Sequence, residues 1–229
     1  MESGDELTLA TPRLILRDFH DEDLPDVHGL RSDPDVASFM DFDPETIEQS
    51  RTWLGDIVFH NQQRPRRAYN VAVVLRAGTR VIGWIGIGRS ERYSGQGELG
   101  VGYMVASPYW GQGYGSEALR AMISFGFTML AGQRISAWCF KENGASARVM
   151  EKAGLHYARQ MQQREPKSGQ VVDCLEYEIR AAEWQAIART SNYPPQHTPT
   201  HNRSLAAPTG SPGQVCDGAA VFVYCSNIR

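Results

Sequence analysis

The chain has 229 residues, 41% hydrophobic and 21% charged, with a net charge of −3 at pH 7. That composition is ordinary for a globular protein with a sizeable core, and its slight acidity speaks against a nucleic-acid binder, which is usually basic. Four cysteines, Cys139, Cys174, Cys216 and Cys225, form no C-x-x-C pair and no metal-ligand spacing with the six histidines, so no metal site is expected. No apolar run is long enough to cross a bilayer. The acidic start Met1-Glu-Ser-Gly-Asp-Glu6 is wrong for a secretory signal, and a cytoplasmic protein is expected.

A first strand is predicted from Arg13 to Asp18. Asp21 can cap a short helix through Leu30, ended by Pro34. Ser32 to Met40 reads as loop with a helical turn. Pro44 suits the first position of a second helix, which carries Ile47, Trp53, Leu54, Ile57 and Val58 and fades after His60. Arg64-Pro-Arg-Arg67 reads as a solvated basic turn. Strands at Tyr69–Leu75 and Arg80–Gly88 flank the hairpin turn Ala77-Gly78-Thr79, and Gly95-Gln-Gly97 marks a further turn. Leu99-Gly-Val-Gly-Tyr-Met-Val105 is strand-like. Beyond a glycine-rich stretch, Ala118, Met122, Phe125 and Met129 recur at helical spacing, so a long helix runs from Gly115 to about Leu130 and ends at Gly132. Arg134–Phe140 is a strand, and Asn143 starts a helix that Gly154 terminates. Leu155–Gln163 and Val171–Arg180 pair around a turn at Pro166 to Gly169, and Ala181–Ala188 closes the fold with a helical turn or two. Strands come in runs, which fits a mixed sheet of α+β type.

From Thr190 to Gly213, Ser, Thr, Pro, His and Asn dominate. We therefore expect a domain over residues 1–189 and a flexible tail over 190–229. The apolar end Ala219-Ala-Val-Phe-Val-Tyr-Cys225 has three readings: docking on a sheet edge, pairing in a homodimer, or a non-native extension.

The stretch Trp110-Gly-Gln-Gly-Tyr-Gly-Ser-Glu-Ala-Leu119 carries the chemistry. Glycines between a strand and a helix N-terminus let successive backbone N–H groups converge on an anion, with the positive end of the helix dipole behind them. A Rossmann turn needs G-x-G-x-x-G and a later acidic residue, and a P-loop needs G-K-[ST]. Here the spacing is G-x-G-x-G, with no Lys in the turn. The stretch instead resembles the acyl-CoA loop of the GNAT acetyltransferases, Arg/Gln-x-x-Gly-x-Gly/Ala, with Trp110 where Arg or Gln is usual. "Y-W-G-x-G-Y-G/A-x-E-A-L" and the upstream "T-x-R-L-x-L-R" are similar to the branch containing the ribosomal-protein N-terminal (RimJ/RimL-type) acetyltransferases. The resemblance covers about Leu7 to Ala188.

The resemblance implies the GNAT fold, a mixed, mostly antiparallel sheet with a V-shaped splay at the central strand, and acetyl-CoA as co-substrate. It places the pyrophosphate on Gly111, Gln112, Gly113, Tyr114, Gly115 and Ser116. The pantetheine arm and thioester would lie along Tyr103, Met104 and Val105, near a bulge for which Gly100 and Gly102 are suited. The run "N-x-x-S-x-x-V-x-E-K-x-G" resembles the second CoA-binding helix, with Asn143 on the pantetheine and Ser146 protonating the sulfur. Both also read simply as a capped helix start. Glu98 is the candidate base, since Gly100 stands where many relatives carry Glu. The acids Asp21, Asp23, Asp33, Asp35, Asp41, Asp43 and Glu45, with Phe39, Phe42 and Trp53, would line the acceptor side and draw a cationic amine. The expected activity is acetyl transfer to a primary amine, a protein N-terminal α-amine first and an aminoglycoside- or polyamine-like amine second. A CoA-binding sensor without turnover is the reading from another class. No nucleic-acid or membrane partner is expected.

Overall fold

A computed structural model describes residues 6–89 and 97–190. The expected tail and the start of the Gly95–Gly97 turn lie outside the described residues. Eight strands form one sheet in the order β1-β2-β3-β4-β5-β6-β8-β7. They are β1 Thr8–Ala10, β2 Leu14–Asp18, β3 Ala68–Leu75, β4 Val81–Arg89, β5 Glu98–Val105, β6 Arg134–Phe140, β7 His156–Arg164 and β8 Val171–Arg180. Every neighbouring pair is antiparallel except β5 and β6. The helices are α1 Leu24–Arg31, α2 Pro34–Ala37, α3 Ile47–Gln62, α4 Tyr114–Thr128, α5 Gly144–Ala153 and α6 Ala181–Thr190.

Strand alternation gives the sheet two apolar faces. Leu14, Leu16, Ile85, Val101 and Tyr103 pack with Leu119, Met122 and Met150 of α4 and α5. Ala72, Val74, Trp84 and Met104 pack on the opposite face with Val27, Leu30, Leu54 and Ile57 of α1 and α3. The residues of β5 therefore divide by parity: odd positions look toward α4 and α5, and even ones toward α1 and α3.

Several expectations need correction, among them the Asp21 cap: Asp21 opens a 3-10 turn to Asp23, and α1 begins only at Leu24. Strand β1 was not anticipated; three residues carry little periodicity, and only pairing with β2 defines them. Helix α3 starts after Thr46 rather than at Pro44, because Thr46 and Gln49 form a reciprocal capping box that satisfies two backbone N–H groups. The Arg64–Arg67 loop is not simply solvated: the Arg66 side chain is 5% exposed, paired with Asp18 at 2.7 Å and stacked 4.3 Å from the Tyr69 ring centre. The Gly154 end of α5 is as expected, at φ 102.

The parallel β5–β6 pair shapes the site. It has three rungs, Glu98↔Arg134, Leu99↔Ile135 and Gly100↔Ser136, although both strands continue well beyond them. The strands diverge there into a V. On its other side β5 pairs with β4 without interruption from Leu99 to Val105, so the expected bulge is absent and the splay alone opens the strand. At the closed end Arg134 bonds Glu98 at 3.0 Å, Glu176 at 3.2 Å and Glu178 at 2.6 Å, and Arg159 meets Glu176 at 2.6 Å. Glu176 is 1% exposed. Removing one member of a buried ion cluster leaves the others uncompensated. Arg134→Met should therefore cost about 3–5 kcal/mol, the range for breaking a buried pair, read as a lower urea midpoint. A loss under about 1 kcal/mol would show the cluster to be solvated and dispensable.

Candidate functional site

The glycine stretch forms the turn that the sequence anticipated. A 3-10 turn at Ser107–Tyr109 leads into Gly111 at φ 74 and Gly113 at φ 81, and Gly113 is the N-cap of α4. A Cβ on Gly113 would meet only Arg13 Nη2, at 3.5 Å, so conformation rather than space demands glycine there. Among the described residues, the six backbone N–H groups from Gly111 through Ser116 have no acceptor. The first intrahelical bond is Glu117 N–H to Gly113 C=O at 3.1 Å. Gly115 and Ser116 are buried, and buried donors without partners are rare. A run of open donors at a helix N-terminus has the geometry and dipole to hold an anion.

Residues from the far end of the chain hold this turn. Glu117 Oε1 accepts from Thr11 Oγ1 at 2.6 Å and from the Arg13 N–H at 2.8 Å. Its Oε2 accepts from Arg13 Nε at 2.6 Å. Arg13 Nη1 donates to Gln112 C=O at 2.9 Å, and the guanidinium lies 4.5 Å from the Tyr114 ring centre. Arg13 was not among the candidate residues. The signal was present, because the T-x-R-L and E-A-L motifs noted separately are two halves of this one contact. Burial alone would raise the Glu117 carboxyl, but the hydrogen bonds from Thr11 and Arg13 outweigh it and hold it below the usual value.

Beside the turn runs the open edge of β5. Ala106 N–H bonds Ile82 C=O at 2.8 Å, so by antiparallel alternation the peptides of Gly102 and Met104 point to β4. Those of Val101, Tyr103 and Val105 point toward the V. Met104 thus differs from the expectation: its peptide is committed to β4 and its side chain to the core under Trp84. Val105 C=O accepts the Trp110 indole at 2.6 Å, so Trp110 braces the strand end against the turn.

Helix α5 brings Asn143 and Ser146 to the same region. Asn143 Oδ1 accepts from Ser146 N–H at 3.0 Å, and the residue is buried, so it does act as a cap. Ser146 is fully buried, its Oγ 2.9 Å from Tyr103 Oη, which also donates to Ser146 C=O at 3.2 Å. Two hydroxyls from β5 and α5 therefore meet on the α4–α5 face. Cys139 is nearby, and burial, chiefly, pushes its thiol up to about 12. Such a thiol is no nucleophile at neutral pH.

Glu98 does not join this group. It lies five residues from Tyr103, about 17 Å of strand, and is bonded to Arg134. The acidic concentration at the acceptor side is largely spent on structure. Asp23 pairs with Arg17 at 2.7 Å, Asp33 caps α2 and accepts from Ser107, and Glu45 pairs with Arg31. Phe42 and Trp53 sandwich Arg31, 4.0 and 4.2 Å from its guanidinium. Exposed acids remain at Asp21, Asp35, Asp41 and Asp43. The β7–β8 turn reaches across to this side, where Lys167 donates to Ala37 C=O at 3.0 Å. Among the described residues no helix is long and apolar enough to cross a membrane, and no group of three metal-binding side chains occurs.

Comparison with known proteins bears directly on this geometry. Residues 13–156 match a family model described as an acetyltransferase (GNAT) domain. The uncharacterized N-acetyltransferase YnaD of Bacillus subtilis is 30% identical over 176 residues, 77% of this chain and 98% of that protein. A GNAT-family acetyltransferase structure from Bacillus anthracis is 28% identical, covers 77% of this chain and 99% of that one, and superposes with a TM-score of 0.66. RimL, a ribosomal L7/L12 α-N-protein acetyltransferase, shares the fold at 18% identity, covering 76% of this chain and 94% of its own, with a TM-score of 0.65.

The latch on Glu117 predicts a pH dependence. The folded carboxyl binds its proton at lower pH than the unfolded one, so its stabilisation is complete above the ordinary glutamate value, about 4.3. It is lost as pH falls through the lowered folded value. The stability difference between wild type and Glu117→Gln should be flat from pH 8 to 6 and shrink below about pH 4. An equal difference at pH 3 and pH 7, measured by denaturant titration, would exclude a charged latch.

Proposed function

The chain belongs to the GNAT family of acetyltransferases, and on that footing we propose that it passes acetyl from acetyl-CoA directly to a protein N-terminal α-amine. We further propose that the domain spans residues 1–189, that it works in the cytoplasm, and that it sits nearest the ribosomal-protein branch, whose motifs it carries. The observation that carries the acyl-CoA half is the run of unpaired N–H donors from Gly111 to Ser116 beside the open V.

In this reading the pyrophosphate rests on the N–H groups of Gly111, Gln112, Gly113, Tyr114, Gly115 and Ser116. The pantetheine arm lies in the V along Tyr103 and Val105, and a backbone N–H of that edge holds the oxyanion of the tetrahedral intermediate. Attack by the amine forms the C–N bond, collapse of the tetrahedral intermediate breaks the thioester C–S bond, the nitrogen gives up one proton to water, and the leaving sulfur takes one. Ser146 supplies it, with Tyr103 Oη at 2.9 Å as the adjoining link in the chain of hydroxyls. Asn143 sets the first turn of α5 and so the position of Ser146. Glu98, ion-paired and remote, is given no contact with the amine; it holds Arg134 at the closed end of the V.

An acceptor that needs no strong base fits this site. At pH 7 about 10–20% of an α-amine of pKa about 7.7–8.0 is already neutral, against about 0.04% of a lysine amine near 10.4. Burial raises the Cys139 thiol beside Ser146 to about 12, so it does not take the acetyl group at neutral pH, which supports direct transfer. The full burial of Ser146 favours a second reading, a CoA-binding sensor without turnover.

Thiol release from acetyl-CoA, against N-terminal peptides, free amino acids, aminoglycosides and polyamines, separates these readings. Release with the peptides is expected. Release only with polyamines or aminoglycosides would replace the acceptor, and CoA binding with silence across the panel would favour the sensor. Gly113→Glu should abolish acetyl-CoA binding, since it strains a left-handed residue and sets a carboxylate in the anion site; calorimetry giving wild-type affinity would refute the cradle. Ser146→Ala should lower kcat about 100-fold or more with KM for acetyl-CoA unchanged. Unaltered kcat would return Ser146 to a packing role.

A further inference from the structure

We infer that Arg13 is a positioning residue for the acyl-CoA pyrophosphate, acting through the Gln112–Gly113 peptide rather than touching the ligand; this rests on the acyl-CoA reading of the glycine turn. The turn from Trp110 to Ser116 has no cationic side chain of its own, and the Trp110 indole is engaged with Val105 C=O. The nearest described cation bonded to it is Arg13, 99 residues away in sequence, whose Nη1 donates to Gln112 C=O. The 112–113 peptide is trans, as the described cis bond is Arg64–Pro65. In a trans peptide the carbonyl and the N–H point to opposite sides. By fixing the Gln112 carbonyl on its own side, Arg13 turns the Gly113 N–H to the other, toward the open donor run. The same bond withdraws a carbonyl, the wrong end of a dipole, from an incoming anion.

Charge compensation is the second half. Glu117 is 6% exposed and sits in the first turn of α4. Despite burial, hydrogen bonds from Thr11 and Arg13 hold its carboxyl below the usual value, so it is negatively charged at neutral pH. An uncompensated carboxylate there would repel a pyrophosphate a turn away and offset the positive end of the helix dipole that draws an anion. Arg13 Nε cancels that charge at 2.6 Å while Nη1 holds the turn. A guanidinium does both because its donors are spread over a rigid planar fork, whereas an ammonium's three donors radiate from one nitrogen.

The test compares Arg13→Gln, Glu117→Gln and the double variant, with acetyl-CoA affinity by calorimetry and kinetics with acetyl-CoA and acetyl-pantetheine, which lacks the pyrophosphate. Arg13→Gln should weaken acetyl-CoA binding about tenfold and raise its KM with kcat held within about twofold, while kcat/KM for acetyl-pantetheine stays at the wild-type value. Glu117→Gln, which loosens the charged hold on Arg13 Nε, should lose less acetyl-CoA affinity than Arg13→Gln, and the double variant should recover at least about threefold of the Arg13→Gln loss. Equal losses on both thioesters, or wild-type acetyl-CoA affinity in a folded Arg13→Gln protein, would overturn the inference. If Arg13→Gln does not fold, Arg13→Lys takes its place, and wild-type acetyl-CoA affinity in that variant overturns the inference instead. Failure of the wild type to bind acetyl-CoA would sink the underlying reading, an outcome distinct from these.

Discussion

A carboxylate three residues inside a helix holds the two ends of this architecture together. Glu117 ties the β1–β2 turn to the start of α4 with hydrogen bonds from Thr11 Oγ1, the Arg13 N–H and Arg13 Nε. The contact joins the sheet's first hairpin to the helix that follows its central strand, so the edge strands and the glycine turn are positioned by the same group. Because the carboxylate is buried, losing its partners would cost more than an exposed pair would. The helix dipole at the N-terminus of α4 favours the charge, and Arg13 keeps that charge from burdening the site beside it.

The second governing feature is a geometric conflict at the centre of the sheet. Strand β5 stays fully paired with β4 and can follow β6 for only three rungs before the two part. Beyond the parting, β5 shows one edge of peptide groups to whatever fills the V, and α5 delivers its capped N-terminus alongside. The closed end is clamped by Arg134 and its three carboxylates, the open end by Trp110 on Val105 C=O. An opening in a sheet is costly unless its polar edge finds a partner. Bracing at both ends keeps the opening in shape.

Charge is handled inside the fold rather than displayed. Arg17, Arg31, Arg66 and Arg134 each neutralise a partly or fully buried carboxylate, and Arg31 and Arg66 also lie on aromatic rings. Acids that look like an acceptor-binding field in the sequence turn out to be caps and ion-pair partners for the first two helices. What remains to attract an amine is a smaller set of exposed carboxylates, near the place where the β7–β8 turn meets α2 through Lys167.

Local chemistry was enough to write down most of the fold and the anion turn. Glycines at positions needing positive φ, the helical recurrence from Ala118 to Met129, the Gly154 stop and the alternating strands each act over a few residues, and they stand in the structure near where periodicity placed them. Motif spacing likewise brought Asn143 and Ser146 to one helix start. Long-range geometry decided the rest. The pairing of β1, the absence of a bulge in β5, the withdrawal of Glu98 to Arg134 and the burial of Arg66 depend on residues tens of positions apart. Arg13 is the clearest case: its motif lay in plain view, but its work is defined by Glu117 and Gln112, and only folding brings a side chain across a hundred residues to a peptide it can turn.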